Sequence, residues 1–119
     1  MALLQATYRD AGPVTVLDLS GRITLGEGSA LLRTTIRELL EGQRFKILVN
    51  LADINYIDSS GIGELVGAYT TVKNRGGELK LLNLTKKVHD LLQITKLYTV
   101  FDVYTDEVSA VRSFNESTT

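Results

Sequence analysis

Phe45-Lys46-Ile47-Leu48-Val49-Asn50-Leu51, followed closely by Ile54-Asn55-Tyr56-Ile57-Asp58-Ser59-Ser60-Gly61-Ile62-Gly63, is the stretch that decides the fold. Its first part is a short, β-branched apolar run and predicts a buried strand over 45–51. From Ser60 the period changes. Ile62, Leu65, Val66 and Tyr69 fall at i, i+3, i+4 and i+7, the buried stripe of a helix over 60–73 that Asn74-Arg75-Gly76-Gly77 stops. A strand that runs into a helix is a β-α unit. Asp58-Ser59-Ser60-Gly61 marks the junction and displays a serine hydroxyl at a helix N-terminus. Free backbone N–H groups and the positive dipole end favour a phosphate there.

Outward from this unit, the N-terminal half predicts a strand over 3–8, turn chemistry at Asp10-Ala11-Gly12-Pro13 and a second strand over 14–19. So short a connection implies an antiparallel pair. Ser20-Gly21 is expected to end that strand, and Gly26-Glu27-Gly28-Ser29 leads into a helix buried through Leu32, Ile36, Leu39 and Leu40, with Gly42 at its C-terminal end. Downstream come a strand over 79–84 and a short helix carrying Val88, Leu91 and Leu92. A fifth strand follows over 100–104, then a helix from Asp106 that uses Val108, Val111 and Phe114. The order is β-β-α-β-α-β-α-β-α. The fold class is therefore α/β: one domain over 1–114 with a polar tail over 115–119, built on a mixed sheet. An N-terminal antiparallel hairpin opens it and parallel β-α units with right-handed crossovers continue it. Lys46, Asn50, Lys80 and Asn83 interrupt the strands, so helices should cover mainly one face. Asp18 should point to the less covered face.

Composition removes several function classes. The chain has 119 residues, 44% of them hydrophobic and 23% charged, which suits one globular domain. A net charge of −1 offers no basic footprint for nucleic acid and no field for anionic lipid. The absence of cysteine excludes disulfides, thiolate catalysis and zinc–thiolate sites. No basic n-region, and no run of about 20 apolar residues, points to a signal peptide or a membrane span. A cytoplasmic location follows as the expectation.

These residues resemble the STAS-domain family, and within it the bacterial anti-sigma factor antagonists. The resemblance rests on Leu19-Ser20-Gly21-Arg22-Ile23, Ile47-Leu48-Val49-Asn50-Leu51, Ile54 to Gly63 and Arg75-Gly76-Gly77-Glu78-Leu79-Lys80-Leu81, in that order and at that spacing. It implies a non-enzymatic partner switch. The unphosphorylated antagonist binds an anti-sigma factor that is also a serine kinase, and so frees the sigma factor. The kinase then phosphorylates the serine after the motif's aspartate, here Ser59, and a serine phosphatase resets it. Asp58 matches the flanking acid, and Ser60, Gly61, Ile62 and Gly63 match the start of the recognition helix. The loop with Thr24 and Gly26 matches the partner-facing loop. Many antagonists carry aspartate where this chain has Thr24, which bears on partner choice. No cofactor is implied, since ATP belongs to the partner kinase, and the sequence is compatible with a weak homodimer.

Several readings stay open beside this one. Asp58 and Ser60 have the chemistry of plain helix caps, and Gly76-Gly77 reads as a helix stop. A phosphate on Ser59 would find the N–H groups of Gly61, Ile62 and Gly63 nearby. His89, the sole histidine, has no metal-ligand spacing around it; no Gly-x-Ser-x-Gly elbow exists and Asp58 adjoins Ser59 instead of supporting His89, so neither a metal nor a catalytic residue is expected. Lys86-Lys87 reads as a solvated helix start. The alternative function is a non-switching STAS scaffold of a signalling assembly, or the soluble subunit of a lipid-transport complex.

Overall fold

A computed structural model describes residues 4–116. The order is β1 (Leu4–Ala11), β2 (Val14–Ile23), α1 (Glu27–Glu41), β3 (Lys46–Ile57), α2 (Ser59–Asn74), β4 (Glu78–Leu82), α3 (Lys86–Ile94), β5 (Val103–Tyr104) and α4 (Glu107–Glu116), with a short 3₁₀ turn at Tyr98–Val100. The strands lie side by side in chain order, β1 antiparallel to β2 and every later pair parallel. This is the mixed sheet that the alternation of strand and helix patterns predicts.

Alternation sorts the strand residues onto two unequal faces. Leu17, Leu19, Ile47, Val49 and Leu81 join the stripes of α1, α2 and α3 in the main core. Val14, Val16, Leu48 and Leu82 meet Ala110 and Phe114 of α4 in a small second core. One helix cannot cover a whole sheet face, so the rest of that face is polar. Asp18 lies there, bonded by Arg9 at 2.7 Å and by Asn50 at 2.8 Å, and Arg9 also ties Glu107 at the start of α4 at 2.7 Å. The Arg9 hydrogen bond holds the Glu107 carboxyl below its ordinary range. Lys80 is buried under α4, where its ammonium donates to Ser113 Oγ at 3.0 Å and sits 4.7 Å from the Phe114 ring centroid.

Several boundaries differ from the sequence expectation. Ser20-Gly21 does not end β2, which runs on to Ile23 with two register irregularities. β3 likewise runs to Ile57, and its extension pairs with Ser20 to Ile23 of β2. Polar residues hid both extensions, because backbone pairing holds them and apolar alternation does not. β4 stops at Leu82, since Asn83 takes a left-handed φ of 58°. β5 is reduced to Val103–Tyr104. In α4 the buried positions are Ala110 and Phe114, and Val108 is 62% exposed, so the expected stripe was displaced. α4 also runs to Glu116, so the expected tail at 115–119 begins in helix, and residues 117–119 lie outside the described residues. The first expected strand residue, Leu3, lies outside them as well.

The helix ends share one device. α1, α2 and α3 each close with the paired 6→1 and 5→2 bonds of a Schellman motif: Arg44 N–H to Leu39 O and Gln43 N–H to Leu40 O, Gly77 to Val72 and Gly76 to Lys73, Leu97 to Leu92 and Lys96 to Gln93. The left-handed position is glycine only in α2. Gln43 holds φ 66° and Lys96 φ 62°, so Gly42 is not the left-handed residue of α1. A side chain in that region costs about 1–2 kcal/mol. Gln43→Gly is therefore expected to stabilise the fold by about 0.5–1 kcal/mol, the gain being partly offset by unfolded-chain entropy. Urea unfolding should show a higher midpoint, and an unchanged or lower one would contradict the motif.

Candidate functional site

Parallel pairing of β2 and β3 brings the loops that follow them to the same edge of the sheet, where α/β folds place their sites. Asp58 joins the two. It is the N-cap of α2, with extended backbone, and its Oδ1 accepts from Gly61 N–H at 2.8 Å. Its Oδ2 accepts from Leu25 N–H at 3.3 Å, and its own N–H donates to Ile23 O at 3.3 Å. One carboxylate thus holds the start of α2 and the β2–α1 loop in fixed relation. Within that loop, the Thr24 carbonyl accepts from Ser29 N–H at 3.1 Å and from Ser29 Oγ at 2.8 Å, which fixes the entry into α1.

Gly61 lies underneath this arrangement. A Cβ there would stand 2.1 Å from Ile23 O and 2.8 Å from Ile57 Cγ1, so only glycine lets α2 approach β2 this closely. Ser59, by contrast, is exposed in the first turn, and its hydroxyl has no hydrogen bond among the described residues.

The expected site residues divide accordingly. Ser59, Ser60, Gly63 and Gly26 are exposed, Asp58 and Thr24 are half-buried, and all of them gather around the β2 and β3 ends. Ile62 does not belong to the surface. It is buried in the main core together with Leu65, as the helical stripe predicts, so its side chain is not part of the exposed surface around Ser59. Gly61 is also buried and serves the packing just described. Two of the three expected phosphate donors are engaged already: Gly61 N–H by Asp58 Oδ1, and Ile62 N–H by the Asp58 carbonyl at 3.0 Å. Asp58 is the cap of α2, and Ser60 is not.

Some residues of this region escaped the sequence reading. A groove of about 730 Å³ runs beside Ser59 between the end of β3 and α3, with Tyr56, Lys86, Lys87, Asp90, Leu91 and Ile94 among its lining. Leu25 and Ile94 are each 77% exposed and Tyr56 is 40% exposed, an apolar fringe around the serine. Ile94 lies outside the α3 stripe of Val88 and Leu92, which was the available signal. Leu25 carried none, because an isolated apolar residue between glycine-rich turns reads equally well as buried. His89 is half-buried against Tyr98 and Asp90, with ring centroids 5.2 Å apart in the first contact, and does not line the groove.

Asp58→Ala removes both the cap and the loop tie. The expected loss is about 1–2 kcal/mol of stability, read by urea unfolding. Asp58→Asn keeps a cap acceptor for Gly61 and should lose less; equal losses would show that the Gly61 bond contributes nothing.

This fold and this junction define a class. The STAS domain model matches residues 5–110, and the chain belongs to that family. Among its relatives, the anti-sigma F factor antagonist of Paenibacillus polymyxa is 28% identical over 99 residues, covering 82% of this chain and 84% of the relative. The anti-sigma-B factor antagonist of Bacillus subtilis is 34% identical over 87 residues, covering 73% and 78%. The same fold occurs in the Bacillus cell fate determinant SpoIIAA in its phosphorylated form, with a TM-score of 0.71, 20% identity and coverage of 92% and 98%. No helix among the described residues is long and apolar enough to cross a membrane.

Proposed function

We propose that this chain is an anti-sigma factor antagonist that acts by phosphorylation-controlled partner switching in the cytoplasm. The observation that carries the reading is Ser59: exposed, its hydroxyl without a hydrogen bond among the described residues, and presented on a turn that the Asp58 cap and the close approach at Gly61 position. Relatives named as antagonists of anti-sigma factors support the partner class.

In this reading, the unmodified surface around Ser59, Ser60, Gly63, Thr24 and Gly26 docks on an anti-sigma factor with serine kinase activity. The kinase supplies ATP. The Ser59 Oγ forms a bond to the γ-phosphorus, the bond from that phosphorus to ADP breaks, and the hydroxyl proton passes to a base of the kinase. A phosphatase hydrolyses the ester and restores the hydroxyl. This chain itself needs only to present Ser59 and to keep its fold in both states. Thr24, neutral where many antagonists have a carboxylate, takes one negative charge from the docking face and tunes which kinase fits.

A pull-down from host lysate tests this. Ser59→Ala bait should retain a kinase-type anti-sigma factor and Ser59→Glu bait should not. Retention of the same scaffold or transporter proteins by both baits would replace the switch with a constitutive STAS module.

A further inference from the structure

The groove beside Ser59 contains an ammonium group with no carboxylate partner among the described residues. Lys86 and Lys87 both line it from the start of α3. Lys86 is committed to Asp90 at 2.7 Å, one turn further along the helix. Lys87 has no such bond among the described residues, and its Nζ lies 5.4 Å from the Tyr56 ring centroid. Tyr56 precedes Asp58 by two positions on the extension of β3, so this contact spans the groove next to the serine.

We propose that a phosphoryl group on Ser59 is received by Lys87, which exchanges the Tyr56 ring for the phosphate oxygens. The inference rests on the reading that Ser59 carries phosphate. Two observations direct the dianion outward into the groove. The Gly61 and Ile62 N–H groups at the helix start are already engaged by Asp58, and the Asp58 carboxylate repels a second anion from that turn. Among the described residues, Lys87 is the groove-lining ammonium not held by a carboxylate; the other cation against the Tyr56 ring, the Arg22 guanidinium 5.8 Å from its centroid, comes from β2 and does not line the groove. An exposed cation–π contact is weaker than a charge-assisted hydrogen bond to phosphate, so the exchange is downhill. The ion pair would draw the phosphate across the apolar fringe of Tyr56, and so cover part of the docking face as well as charging it.

The test uses the full chain with phosphoserine installed genetically at position 59, followed by ³¹P NMR through the second phosphate ionisation at about pH 6. A nearby cation favours the dianion, so Lys87→Gln should move the midpoint up by about 0.5. Lys86→Gln should move it less. Tyr56 ring resonances should shift on phosphorylation in the wild type and not in Lys87→Gln. Identical midpoints in wild type and Lys87→Gln, or a larger effect of Lys86→Gln, would overturn the assignment. Installing the phosphoserine directly separates this result from the switch itself. The failure of the switch reading would instead appear as no phosphate on Ser59, by mass spectrometry, after incubation with the captured kinase and ATP.

Discussion

Phosphoserine at position 59 is expected to weaken binding of the anti-sigma partner by about 10²–10³-fold, a loss of about 3–4 kcal/mol. The magnitude comes from the partner side of the interface. A group of about −1.5 to −2 charge, placed within an interface fringed by apolar side chains, must be desolvated unless the partner supplies cations, and it adds to the charge of Asp58. Leu25, Tyr56 and Ile94 make that fringe here, and Asp58 adjoins the modified residue. Modifying Ser59 breaks no contact of the fold, because its hydroxyl is exposed and makes no hydrogen bond among the described residues. Titration calorimetry with the partner from the pull-down should give tight binding for wild type and Ser59→Ala. The phosphoserine form should bind weakly with an unchanged far-ultraviolet circular dichroism spectrum. Equal dissociation constants for the unmodified and phosphorylated forms would end the switch reading. Ser59→Glu carries one charge and a different shape, and is expected to fall between the two.

Gly61→Ala is expected to cost about 3 kcal/mol of stability, at the upper end of what overpacking usually brings. The added methyl would lie 2.1 Å from the Ile23 carbonyl oxygen and 3.0 Å from its carbon, against backbone and not against a side chain that could rotate away. That carbonyl also accepts from Asp58 N–H, so moving it disturbs the tie between β2 and the α2 cap. Relief requires α2 to slide off the sheet, which would expose Ile62 and Leu65. Gly63→Ala is the internal control. Nothing lies within 4 Å of its Cβ position, the residue is exposed, and alanine in a helix interior gains about 0.5–1 kcal/mol over glycine. Urea unfolding of the pair should give shifts of opposite sign. A Gly61→Ala protein as stable as wild type would mean that the close approach of α2 to β2 is not needed.

The two glycines stand two residues apart in one motif, and sequence alone gives them equal weight as permissive positions. Distances separate them: one is a packing requirement and the other an open surface. The same division applies to the two residues with cap chemistry. Asp58 and Ser60 both had cap chemistry, and the cap is Asp58 because its Oδ1 reaches Gly61 N–H.

The order of elements was legible because its signals are local. The helical spacing of Leu32, Ile36 and Leu39, the apolar run Ile47-Leu48-Val49 and the short hairpin at Gly12-Pro13 each act within a few residues, and each appears as read. The polar interruptions Asn50 and Lys80 announced a sheet face covered by less than a full helix layer, and α4 is that partial layer. The Asp58-Ser59-Ser60-Gly61 junction fell where a strand pattern met a helix pattern, so the place of the candidate site was also written locally. Tertiary structure decided the rest, through contacts between residues far apart in the chain. Backbone pairing with β3 carried β2 through Ser20 and Gly21, residues that end a strand by their own preferences. The single helix on the second face turned Ala110 inward and left Val108 out, since burial there depends on where the sheet lies and not on apolarity alone. The parallel register of β2 and β3 set the Leu25 N–H on the Asp58 carboxylate, and the packing of α3 brought Lys87 to the groove beside Ser59. No periodicity along one segment encodes the distance to another, and the chemistry around Ser59 depends on those distances.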